Sequence, residues 1–88
     1  MRIKVRKTGE GLHHSEVVVE IKTVSGIERL VVATRALKDD TILVGAPLAF
    51  GGRGKVLVEL PRETMSGASR VWVKSDNLVE DKGEVRAA

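Results

Sequence analysis

The chain has 88 residues, 42% of them hydrophobic but only 2% aromatic, with no cysteine and a formal net charge of +3. That length suits one domain with a single modest core, and the missing cysteine excludes disulfide staples, thiolate zinc sites and cysteine nucleophiles together. MRIKVRK lacks the apolar run of a signal peptide and no stretch approaches the roughly 20 apolar residues that span a bilayer, so the expectation is a soluble, cytoplasmic protein held by hydrophobic burial.

RIKVRK alternates Ile3 and Val5 with Arg2, Lys4 and Arg6, which predicts a strand with two β-branched residues inward and a cationic stripe outward. Residues 2 to 7 carry Arg2, Lys4, Arg6 and Lys7 and no acid, whereas the other 11 bases face 12 acids, so the positive excess sits in this strand. TGEGLHHS is a polar connection to EVVVEIKTV, where Val17, Val19 and Ile21 share a face. Ser25 and Gly26 suit a tight turn into IERLVVATRAL, completing a hairpin.

LKDD makes a second turn before TILVGAPLAF, where Pro47 favours an edge, bend or bulge. The same stretch offers the chain's one place for a short helical turn, with Asp39 and Asp40 as caps and Gly45 and Pro47 opposing it. GGRG leads into KVLVELP, with Val56, Val58 and Leu60 in one phase and Pro61 closing the strand. RETMSGAS connects to RVWVKS, and SDNLVE makes a short turn before a last strand. Residues 1–80 therefore read as a single all-β domain, a small barrel or sandwich of about five to six antiparallel strands. Residues 81–88 read as a flexible tail.

VLVELP, a glycine-containing loop and GASRVWVKSDNLVE resemble the C-terminal half of Src-homology-3-like small β-barrels, in which a strand ends in a short Ser/Asn-type turn before the closing strand. The resemblance covers about 25 residues, Val56 to Glu80, and rests on the order Val71, Val73, Ser75, Asn77, Leu78. It implies an architecture and no ligand. The familiar modules of that family grip proline-rich peptides with several aromatic side chains, and this chain has no tyrosine, one tryptophan and one phenylalanine.

Catalysis has little to stand on. His13 and His14 are the only histidines, and as neighbours on an extended chain they point apart, a poor pair for one metal. No serine sits in a sharp strand-to-helix elbow. GGRGK fails as a phosphate loop, because the positions that need glycine and Ser/Thr hold Ala49 and Val56. It reads as a hairpin or bulge, with anion contact through Arg53 and Lys55 as the alternative. Asp39 with Asp40 and Glu80 with Asp81 are solvated turn carboxylates. The expectation is thus a protein without enzymatic activity, cofactor or metal.

Two surfaces remain. In RVWVK, Val71 and Val73 face one way and Arg70, Trp72 and Lys74 the other. Val18, Leu57 and Trp72 all fall on outer faces, which points to a covering partner or a second copy. The first expectation is a non-catalytic protein-binding or self-associating module acting through Trp72, Arg70, Lys74 and Leu57. The alternative is a nucleic-acid-binding barrel in which Arg2, Lys4, Arg6, Arg53 and Lys55 join Arg70 and Lys74 on phosphate, and this requires the cations to converge on one face.

Overall fold

A computed structural model describes residues 1–10 and 13–80. Within them the chain is all-β, in nine short strands: β1 (Arg2–Lys4), β2 (Arg6–Glu10), β3 (Glu16–Thr23), β4 (Gly26–Ala33), β5 (Thr41–Leu43), β6 (Ala49–Gly51), β7 (Lys55–Glu59), β8 (Arg70–Lys74) and β9 (Leu78–Val79). They pair antiparallel as three three-stranded sheets, in the orders β5-β1-β9, β2-β3-β4 and β6-β7-β8. The expected five to six strands become nine because runs that are continuous in pattern are broken in pairing. At Val5 the chain leaves its partnership with β5, where the Val5 amide donates to the Asp40 carbonyl, and at Arg6 it begins to pair with Glu20 of β3. The expected flexible tail, 81–88, lies outside the described residues.

Alternation accounts for the core. Ile3, Val5, Val17, Val19, Ile21, Val56, Val58, Leu60, Val71 and Val73 are all buried, joined by Leu30, Val32, Ile42 and Val44. This core is wholly aliphatic. Neither aromatic ring of the chain is in it: Trp72 is 38% exposed and Phe50 77%.

The polar turn at LKDD is a two-residue hairpin loop. Lys38 and Thr41 exchange both backbone hydrogen bonds, at 3.0 and 2.8 Å, with Asp39 (φ 50) and Asp40 (φ 58) between them. Two successive positive φ values match a type I′ turn, for which aspartate followed by glycine is a preferred pair. Asp40→Gly is therefore expected to raise the thermal midpoint by a few degrees, through relief of the left-handed cost of about 1 kcal/mol; Asp40→Ala should lower it in the same calorimetric scan. The short helical turn is absent from this stretch, since residues 41–43 and 49–51 are strands. Single 3-10 turns occur instead at Thr34–Ala36 and Ser75–Asn77, and Gly52–Gly54 is a tight turn with a left-handed residue at its centre. The β3–β4 turn lies one residue earlier than the pattern suggested, with Thr23 paired to Gly26 and Val24–Ser25 at the tip.

The connection from β7 to β8 runs along the outer edge of β4. The Met65 amide donates to the Arg29 carbonyl (2.7 Å), and Arg62 Nη1 to the Val31 carbonyl (3.2 Å). Thr64, buried, accepts from the Ala68 amide through Oγ1 and bonds Ser66 Oγ. Ser66 in turn donates to Glu28 Oε1 at 2.7 Å. Hydrogen bonds from Ser66 and then Thr64 hold the Glu28 carboxyl below its usual range. A carboxylate whose folded pKa is depressed stabilises fully above its unfolded value, near 4.3, and loses that contribution as pH falls through the folded one. Amide exchange at Met65 and Ala68, corrected for intrinsic rate, is expected to quicken across that acid window in the wild type. In Glu28→Gln the extra acceleration should be missing.

Candidate functional site

The tip of the β3–β4 hairpin leans onto β8, where the Val24 amide donates to the Trp72 carbonyl at 2.8 Å. This contact makes the two walls of a groove. One wall is the hairpin tip, with Lys22 and Ile27 facing the same way because they are register partners. The other is the turn Gly52–Gly54 with the adjoining ends of β7 and β8, contributing Arg53, Lys55 and Lys74. Asp76 and Asn77 of the last 3-10 turn also line it, around a volume of about 710 Å³.

Trp72 stands at one end. Ala49, Leu57 and Trp72 form one cross-strand row on the outer face of the β6-β7-β8 sheet, and Gly51, Lys55 and Lys74 form the next. The indole lies against Gly51, where an added Cβ would sit 3.1 Å from Trp72 Cζ3 and 3.5 Å from Cη2. Gly51 has an extended φ of −112° that any residue adopts, so what a side chain there would meet is the ring, which would have to give by a few tenths of an ångström. Beside the ring is a shallow depression lined by Val24, Ser25, Gly51, Gly52 and Lys55.

At its other end the groove runs into a smaller hollow of about 220 Å³ lined by Lys4, Val5, Arg6 and Glu20, with Lys22, Ile27 and Asn77 common to both. Along this path six cations, Lys4, Arg6, Lys22, Arg53, Lys55 and Lys74, meet two carboxylates, Glu20 and Asp76. Glu20 is already bound to Arg29 at 3.0 Å. None of the six cations makes an ion pair with another described residue. Beyond Lys4 the character changes, since a third hollow sets Arg2, Lys4 and Lys38 against Asp39, Asp40 and Glu80.

The structure thus separates the residues expected from sequence. Trp72, Lys74, Arg53, Lys55, Lys4 and Arg6 share one continuous path. Leu57 is half-buried beside Trp72. Arg70 shares the outer face but sits opposite Glu59 at the far end of β8. Arg2 points its guanidinium inward along the sheet, donating to Thr41 Oγ1 (2.7 Å) and to the Thr41 and Ala36 carbonyls (3.1 Å each), so its donors clamp the 36–41 segment. Lys22, Val24 and Ile27 were not expected from sequence. Alternation against Ile21 places Lys22 on an outer face, but no local pattern shows that the hairpin tip meets β8.

No protein-family model, curated protein or solved structure matches this chain. Function therefore has to come from the chemistry of this surface. Among the described residues no three His, Cys, Asp or Glu side chains are grouped to hold a metal ion, and no helix is long and apolar enough to cross a membrane. Half-exposed apolar side chains ringed by cations are suited to holding a ligand by burial and charge.

Proposed function

We propose that this protein is a non-catalytic binding module that docks a protein partner on the groove beside Trp72. One observation carries the reading: the core is entirely aliphatic, and the single tryptophan is left partly exposed, against a glycine, at the mouth of a cation-lined groove. A tryptophan gains much by burial, and a ring positioned but left open is the usual anchor of a protein interface. An Src-homology-3-like barrel is the architecture we propose for the three sheets. It is supported by their links to one another: the chain passes from one to the next at Val5, Val24 bonds Trp72, and the Val44 and Gly45 amides donate to the Met1 and Glu59 carbonyls.

The test is to pan a random peptide display library on the immobilised protein and on its Trp72→Ala variant. A recurrent sequence family that the variant fails to retain is the expected result. Equal recovery on both proteins, or no enrichment on either, overturns the reading.

A specific feature favours self-association as a second reading. β6 ends its sheet, and Phe50 is exposed although its register partners Val56 and Val73 are buried, with Leu48 exposed two residues away. Light scattering that gives a dimer mass for the wild type and a monomer mass for Phe50→Ser would establish it; a monomer throughout would dismiss it.

A further inference from the structure

We infer that the partner presents an acidic segment carrying apolar side chains, laid along the groove from Trp72 towards Arg6; this rests on the protein-binding reading above. The groove pairs exposed apolar side chains, Val24, Ile27 (54% exposed) and Trp72, with the cations Lys22, Arg53 and Lys74. Its two carboxylates do not balance the six cations on the path, and Glu20 is already engaged by Arg29. A chain that fills this surface must bring negative charge for the cations and aliphatic or aromatic groups for Val24, Ile27 and Trp72.

A nucleic acid meets only half of that requirement. Phosphates would answer the cations, but bases need flat partners, and Trp72 is the one ring on the path; Val24 and Ile27 offer no stacking surface. A peptide supplies both kinds of group from alternate side chains. Its contacts also end where the charge does, since the hollow beyond Lys4 holds three carboxylates against three bases.

The backbone supports the assignment of Arg53. It holds φ 63 and ψ 34, a left-handed conformation that costs most residues energy and that asparagine tolerates. A bulky cation kept there presents its charge at the tip of the turn. Arg53→Asn therefore removes the charge while easing the backbone.

The experiment titrates the intact protein with fluorescein-labelled peptides of about ten residues, ~33 Å when extended, within the molecule's 36 Å long axis. One alternates glutamate and leucine, one glutamine and leucine, and a third probe is oligothymidylate of similar length. Anisotropy and Trp72 emission are read together at low and moderate salt. The expected result is binding of the glutamate peptide that shifts Trp72 emission, weakens as salt rises, and falls about tenfold or more in Lys22→Glu/Lys74→Glu. Arg53→Asn should weaken it less while keeping the thermal midpoint at or above that of the wild type. Equal affinity for the glutamine peptide, tighter binding of oligothymidylate, or no binding of the glutamate peptide overturns the inference. A display-selected family free of acidic residues would also overturn it, while leaving the protein-binding reading intact.

Discussion

Leu30→Ala is expected to remove about 3 kcal/mol of stability, within the 2–5 kcal/mol seen when a fully buried leucine is truncated. Leu30 has no exposed surface and sits directly across from Val19, itself fully buried, in the longest strand pair of the molecule. An aliphatic core responds poorly to such a loss, because β-branched neighbours have few rotamers with which to fill the space. Domains of this size are stable by roughly 5–15 kcal/mol, so the variant would stay folded in water at moderate temperature with its margin much reduced. Urea denaturation followed by circular dichroism would show the midpoint falling at an unchanged slope. A loss below about 1 kcal/mol would mean that the core has slack that its packing does not suggest.

Trp72→Ala is expected to leave the chain folded while sharply weakening capture of the partner. The indole is outside the core and only 38% exposed, so the stability cost should be about 2–3 kcal/mol, from partial burial alone. Anchoring tryptophans contribute 2 kcal/mol or more to binding when truncated, a loss of about 30-fold in affinity. Calorimetric titration with a display-selected peptide reads the affinity without relying on the fluorescence that the substitution removes. If affinity survives and the melting temperature collapses, Trp72 is a packing residue and the groove has lost its anchor.

The fold was legible wherever alternation along a strand decides burial. Val17, Val19 and Ile21, or Val71 and Val73, face inward for the reason that any half-buried strand alternates. What alternation cannot show is pairing between distant segments. β1 takes β5 on one side and β9 on the other, and neither partner is adjacent in the chain. The same limit explains Phe50, whose phase is that of the inward residues Val56 and Val73 but whose three-residue strand lies at a sheet end beyond the reach of the core. The helical alternative at 39–50 failed because consecutive aspartates tolerate left-handed geometry and serve a hairpin turn as readily as they cap a helix. In the groove, Trp72, Lys74, Arg53 and Lys55 could be picked out by residue type and phase, whereas Lys22, Val24 and Ile27 depend on a tertiary contact.

The hydrogen bond from Val24 to Trp72 joins residues 48 positions apart. Closing so long a loop costs entropy before any contact compensates it, and topologies dominated by such separations fold slowly. Each hairpin on its own could form early, yet neither contains both walls of the groove. Binding competence should then arise in the last step of folding, lagging behind the formation of β structure in a stopped-flow experiment. A partner that selects the completed groove would in turn stabilise the native chain by mass action, so that its melting temperature should rise with the concentration of ligand.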